Sequence, residues 1–449
     1  MAPADGGHGA GEPSARGLLA ALAEGRVSAV ETAEACLARI AEREEVVGAW
    51  AHLNREAALK QADGLDRLRR SGRPLGPLHG LPVGVKDIID VRGMPCEWGT
   101  PLEAGRRPTA DAAVIRRMRA AGALILGKTV TTEFAYYAPG KTRNPHDPSR
   151  SPGGSSQGSA AAVADGMVPL ALGTQTNGSM IRPASFCGVV GYKPSFGAVP
   201  RTGVMADAPS LDTIGIFAGS VEDAALLEHA MGPDGTDEHA RPSPGPLSAV
   251  AGAEPPLRPV LALVRTAAWE RAAPETAEGF AELQQALGAG VEEVPLPQSF
   301  DGAIDWLRVV MAAEMARGLG RYADRGGDRV SEQFRALVEE GRAILAHDYL
   351  VARDWQRTLR AGLDRIFDRF DAIVTPAAPG EAPGPETTGD AGFCSLWSLT
   401  GLPAISLPLL RGPNGLPVGV QLVGRHGNDA RLLRTARWLT RHLAEGEDA

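Results

Sequence analysis

Residues 151–191 read SPGGSSQGSAAAVADGMVPLALGTQTNGSMIRPASFCGVVG, and this stretch decides the fold. It holds two Gly/Ser-rich turns, at 153–157 and 176–179, with an apolar stretch between them. Glycine lets a backbone turn tightly and leaves its N–H groups open to a ligand. A serine beside such groups is what acyl transfer needs: a nucleophile next to donors for a developing oxyanion. Either turn alone reads as a surface loop. Two of them, followed by a buried-looking run, favour a catalytic reading. After Gln157, SAAAVADG reads as a helix of small side chains packed closely on a sheet. Strands and helices then alternate, which implies an α/β layered core.

Working outward, Ser28-Ala-Val-Glu31 is a capping box that opens an amphipathic helix with Val30, Leu37 and Ile40 on one face. A second helix is expected over residues 55–70. LPVGVKDII at 81–89 reads as a buried strand. Asp111 is expected to cap a helix carrying Val114, Ile115 and Met118. Gly122 ends that helix, and residues 123–126 form another strand. Residues 232–258 are rich in Pro, Gly and Ala and read as an excursion from the fold. The segment 274–370 is mostly helical in pattern. TPAAPGEAPGPETTGDAG at 375–392 is a long irregular loop of the kind that lines binding sites. The tail returns to apolar runs, LPAISLPLL and GLPVGVQLVG, which complete the same sheet. We expect one domain over 21–449, preceded by a flexible leader at 1–20.

The chain has 449 residues, of which 43% are hydrophobic, ample for a large core. Its net charge is −8 with no basic stripe, which argues against a nucleic-acid partner. No run reaches membrane-spanning length. Cys36, Cys96, Cys187 and Cys394 are scattered without a Cys-x-x-Cys pair, so neither zinc nor a disulfide framework is expected, and a reducing cytoplasm is the simplest setting. Of 46 basic residues only five are lysine: Lys60, Lys86, Lys128, Lys141 and Lys193. In a chain that uses arginine so freely, a retained lysine points to something arginine cannot do, such as losing a proton near neutral pH.

Two familiar motifs match in form only. GALILGKT at 122–129 fits the Walker A spacing, but its intervening residues are apolar and belong to a strand, whereas a phosphate cradle needs a loop between strand and helix. Gly154-Ser155-Ser156-Gln157-Gly158 fits the G-x-S-x-G elbow, yet NPHDPSRSP ahead of it cannot be a core strand. Nor does any downstream histidine (His229, His239, His347, His426 or His442) stand out as a base. Lys86, in an otherwise apolar strand, is the alternative activator, because burial makes a neutral lysine a competent base. It could equally be an edge lysine or a structural partner of Asp87 or Asp90.

Taken together these residues resemble the amidase signature hydrolases over nearly the whole chain. The resemblance is carried by GPLHGLPVGVKDIIDVRGMP, PTADAAVIRRMRAAGALILGKTVTTEFA, NPHDPSRSPGGSSQGSAAAVADG, GTQTNGSMIRPASFCGVVGYKPS and GLPAISLPLL with GLPVGVQLVG. Ser179 follows Ser155 by 24 residues, the separation that family shows. The resemblance implies an α/β/α layered fold with a large mixed sheet covered by helices on both faces. It implies a Ser–Ser–Lys triad of Ser179 as nucleophile, Ser155 as bridging serine and Lys86 as base, with a cis Gly154–Ser155 peptide. The N–H groups of Thr176, Asn177, Gly178 and Ser179 would form the oxyanion hole. Ser156 is expected to bond Lys86, and Gln175 and Arg182 to act as supports. No cofactor or metal is implied.

The chain also departs from the family pattern. Gln157 and Asn177 replace glycines, Gln175 replaces an acid, and the arginine is displaced by one position, to Arg182. These departures weigh against the glutaminase subunit of a tRNA amidotransferase, which remains the alternative. Tyr136, Tyr137 and Met180, with Phe393, Trp397 and Leu399 from the other side, are expected to wall the substrate site. Such walls suit an aryl or alkyl amide, anilide, ester or carbamate (urethane) better than a charged group. A monomer or homodimer is expected.

Overall fold

The structure, a computed structural model, describes residues 14–232 and 247–445. Its centre is one mixed sheet of eleven strands: β1 (Trp50–Leu53), β2 (Pro82–Lys86), β3 (Leu124–Thr129), β4 (Leu170–Gln175), β5 (Val190–Lys193), β6 (Thr213–Ala218), β7 (Leu261–Leu263), β8 (Val291–Glu293), β9 (Ala372–Pro376), β10 (Ala404–Arg411) and β11 (Pro417–Val423). The spatial order is β1-β3-β2-β4-β6-β5-β10-β11-β9-β7-β8. β3, β2 and β4 run parallel, while β4, β6, β5, β10, β11 and β9 are joined antiparallel.

Helices cover both faces because the strands are apolar on both sides. On β4, Leu170 and Leu172 enter one hydrophobic cluster, and Ala171 between them enters another. On β6, Ile214 and Ile216 enter the first, and Phe217 the second. Leu37, Ile40 and Val47 of the helix Ala29–Val47 join the second cluster. Ala160–Ala164 of the helix Gln157–Ala164 join it too, and the close fit there requires small side chains. A Cβ on Gly158 would stand 2.2 Å from the Ala49 carbonyl oxygen and 2.4 Å from the Val130 nitrogen.

The Ser28–Glu31 capping box is present, and the helix Arg55–Arg70 has its expected bounds. Other local expectations need correction. The strand anticipated over 81–89 stops at Lys86, where the chain turns. Asp111 does not cap the helix Ala113–Ala120; its carboxylate accepts from the Arg92 N–H and pairs with Arg119 instead. The end of the anticipated leader belongs to the fold. The helix Ala15–Glu24 is anchored at its start by the Asp223 carboxylate, which accepts from the N–H groups of Ala15 and Arg16. Residues 1–13 lie outside the described residues, as do 233–246 within the anticipated excursion. Gly127, Lys128 and Thr129 sit inside β3, so the Walker-like spacing forms no loop.

Candidate active site

Lys86 ends β2 and Thr174 lies near the end of β4, the adjacent parallel strand. Ligand sites in open α/β sheets gather at the carboxyl ends of such strands. Lys86 has no exposed surface. Its Nζ lies 2.7 Å from Ser155 Oγ and 2.8 Å from Thr174 Oγ1. Burial pushes the amine down from 10.5 to about 7, against the opposing pull of Asp207 and Asp212. The Gly154–Ser155 peptide is cis. The Gly154 carbonyl accepts from Arg182 Nη2 at 2.7 Å, and the Arg182 guanidinium lies over the Tyr137 ring, 5.3 Å from its centre.

The second turn follows β4 directly. Gly178 has φ +82, a conformation that favours glycine. Gln175 Oε1 accepts from the N–H groups of Met180 (2.8 Å) and Ile181 (3.1 Å), and Gln175 Nε2 donates to Ser398 Oγ. Asn177 Oδ1 accepts from Ser395 Oγ. The Thr176 hydroxyl donates to Asp212 Oδ1 at 2.6 Å. With these side chains fixed, the N–H groups of Asn177, Gly178 and Ser179 meet no acceptor among the described residues.

Ser155, Thr176, Asn177, Ser179 and Arg182 share a narrow inner chamber with Tyr136, Tyr137, Asp207, Met311 and Met315. It leaves about 20 Å3, room for one small group. Outside it lies a cavity of about 420 Å3 that shares Tyr136, Tyr137, Asn177 and Met311 and adds Leu307, Leu337 and Ser395. The charges at this outer wall are paired: Arg308 with Glu340, and Arg271 with Asp390 at 2.8 Å.

The structure therefore brings together Lys86, Ser155, Ser179, the second turn, Arg182, Tyr136 and Tyr137. Other expected site residues stand elsewhere. Ser156 does not bond Lys86; its hydroxyl donates to the Thr174 carbonyl and accepts from the Thr174 N–H, tying the first turn to β4. Met180 has no exposed surface and packs among Gly173, Gly215 and Ser156. Trp397 and Leu399 are buried in the main apolar cluster, and Phe393 packs edge-on against Trp269. None of these four lines either chamber. The helical turn of Gly392–Leu399 explains the difference: Gly392 and Ser395, three residues apart, face the outer cavity, while Phe393, Trp397 and Leu399 turn into the interior.

Five residues of the site carry no local signal in the sequence. Thr174 looks like one more strand residue. Met311 and Met315, spaced i, i+4 on the helix Ala303–Gly326, give only a helical stripe. Asp207 and Asp212 sit in a loop whose path no local pattern gives. Among the described residues, no group of three His, Cys, Asp or Glu side chains could hold a metal ion. No helix among them is long and apolar enough to cross a membrane.

Comparison with known proteins agrees with this fold. The family described as Amidase matches residues 31–433. The chain is 38% identical to the A-type subunit of the glutamyl-tRNA(Gln) amidotransferase of Chloroflexus aggregans, over 92% of this chain and 93% of that one. The peptide amidase of Stenotrophomonas maltophilia superposes with a TM-score of 0.84 at 31% identity, covering 96% of each chain. A chain from the structure described as "An unexpected vestigial protein complex reveals the evolutionary origins of an s-triazine catabolic enzyme" superposes with a TM-score of 0.89 at 30% identity, covering 95% of this chain and 98% of that one. With a buried lysine–serine pair at the end of a mixed sheet and the family match over most of its length, the chain belongs to the amidase family, whose members act on amide C–N bonds.

Proposed function

We propose that this chain is a serine hydrolase of uncharged amides, anilides and carbamates, working through an acyl-enzyme on Ser179. The observation that carries the reading is the 2.7 Å contact between the buried Lys86 amine and Ser155. An amine held near 7 has a lone pair available at neutral pH. Neutral Lys86 takes the proton of Ser155 as Ser155 takes that of Ser179. The Ser179 oxygen then bonds to the substrate carbonyl carbon. The negative charge that develops on the carbonyl oxygen is met by the N–H groups of the turn 176–179. The C–N bond breaks as the proton returns through Ser155 to the departing nitrogen. Water, activated through the same relay, releases the acyl group and restores Ser179.

The paired charges of the outer wall and the apolar surfaces of Tyr136, Leu307 and Met311 support a neutral aryl or alkyl substituent. Cys96, Cys187 and Cys394, buried and outside any disulfide, suit a reducing cytoplasm. A second reading, a glutaminase that works only inside a complex, is favoured by the 38% identity to a subunit of an amidotransferase. The purified lone chain, assayed on a neutral anilide, an aryl carbamate and glutamine, separates the two. Turnover of the anilide or carbamate by the lone chain, abolished in Ser179→Ala with an unchanged melting curve, is the expected result. Turnover of glutamine alone, and only with added partner subunits, would overturn it.

A further inference from the structure

Two buried carboxyl groups stand beside the second turn, and they are bonded very differently. Asp212 is saturated: its oxygens accept from the Thr176 hydroxyl and from the N–H groups of Asp207 and Ala208. That pattern is a structural one, closing the loop 207–212 on itself. Asp207 is 3% exposed, yet among the described residues its only side-chain hydrogen bond is a long 3.5 Å approach of Oδ2 to the Thr176 hydroxyl, which is already committed to Asp212. Asp207 Oδ1 has no partner among the described residues, although it is fully buried. Leaving a buried polar atom unmatched is costly, and a native site that does so holds it for a ligand, a water or an ion. Asp207 also lines the inner chamber with Ser155 and Ser179, and that chamber has space for a single small group. Burial, with Asp212 close by, raises the Asp207 carboxyl well above its ordinary value. A neutral carboxyl still keeps a carbonyl oxygen that accepts.

In the proposed mechanism the open N–H groups of the second turn are donors for the substrate's carbonyl oxygen, and Met311 and Met315 offer only apolar surface. What the chamber lacks is a recognised place for the hydrogen that an amide or carbamate nitrogen carries. We propose that Asp207 determines specificity by accepting a hydrogen bond from the N–H of the scissile bond, so that the site selects substrates whose nitrogen bears a hydrogen. This rests on the triad reading above and adds the substrate class to it. A tertiary amide and an ester, which lack that hydrogen, would leave Oδ1 unmatched in the complex. Sites that hydrogen-bond a substrate group discriminate strongly against analogues lacking it, because the enzyme's own buried atom is then stranded.

The test compares three substrates with the same acyl group: a secondary anilide, its N-methyl analogue and the aryl ester. Wild-type protein should prefer the secondary anilide over the N-methyl compound. Asp207→Leu should lose about 10- to 100-fold in kcat/KM on the secondary anilide and change the ester by less than about 3-fold. Asp207→Asn keeps a carbonyl oxygen and should recover most of the anilide rate. Labelling of Ser179 by a serine-reactive phosphonate should proceed at the wild-type rate in both variants, which shows the triad intact. Equal losses on anilide and ester, or none on either, would overturn the assignment. So would an unaltered preference between the secondary and N-methyl anilides. Wild-type protein inert toward all three and unreactive with the phosphonate would instead overturn the triad reading, and this inference with it.

Discussion

Thr174 Oγ1 accepts a hydrogen bond from Lys86 Nζ at 2.8 Å, across the paired strands β2 and β4. A neutral amine has two N–H groups and one lone pair. Donating one N–H to Thr174 fixes the rotation of the amine and leaves its lone pair for the Ser155 proton. Thr174→Val keeps the shape of the side chain and removes the acceptor. Losing one partner of a buried hydrogen bond costs about 1–3 kcal/mol, so kcat should fall roughly 10- to 100-fold with KM little changed. Steady-state kinetics on an anilide checks this, and Thr174→Ser should restore most of the rate.

Lys86 links activity and stability to pH. Its amine titrates near 7 in the folded chain and at its ordinary 10.5 when unfolded. The rate should fall about tenfold per pH unit as pH drops below about 7, where the base is protonated. Between 7 and 10.5 the unfolded state binds the proton and the folded state does not, so this residue's contribution to stability rises with pH across that window. Lys86→Met abolishes turnover and removes that dependence. Its melting temperature relative to wild type should be highest at and below pH 7 and should decline towards pH 10.5. Lys86→Arg should also be inactive, since arginine stays charged. Calorimetry and rate profiles from about pH 6 to about pH 10 test both signs.

Gln175 holds the second turn by three hydrogen bonds, two to the N–H groups of Met180 and Ile181 and one to Ser398. Gln175→Leu strands two buried N–H groups. We expect a melting temperature lower by several degrees and a slower reaction of Ser179 with a phosphonate probe, by about tenfold or more. Probe kinetics separates this loss of positioning from any change in substrate binding.

Met311 lines both chambers and is almost fully buried. Met311→Ala widens the passage between them. The ratio of kcat/KM for a branched acyl anilide over an acetanilide should rise about tenfold, within the range that a few methylenes provide. A competition assay with the two anilides reads this ratio directly.

The proposed relay residues are legible in the sequence because each stands in a recognisable local pattern. The Gly/Ser turns hold Ser155 and Ser179, Lys86 stands in an apolar strand, and the family resemblance joins the three; Lys86, Lys128 and Lys193 are all almost completely buried, so burial alone does not single out Lys86. The strand–helix alternation gives the layered core for the same reason. The substrate walls are less legible, since they depend on which face of an element meets the cavity. Phe393 and Trp397 are hydrophobic, and the interior takes them; the polar Ser395 between them faces the cavity. Met311, Met315 and Asp207 come from segments well beyond the second turn, and no local pattern connects them to it. Ser156 belongs to the expected turn but has a different partner, because sequence places it beside Ser155 without showing where its hydroxyl points.

The outer cavity draws Leu307, Arg308, Met311, Leu337 and Glu340 from a helical hairpin inserted between β8 and β9, far along the chain from the strands and turns that carry Lys86, Thr174 and Ser179. Much of the outer wall is thus encoded apart from Lys86, Ser155 and Ser179, although Tyr136, Tyr137 and Asn177 line both chambers. A hairpin grafted from a relative could retarget the enzyme while every proton-carrying atom stayed where it is.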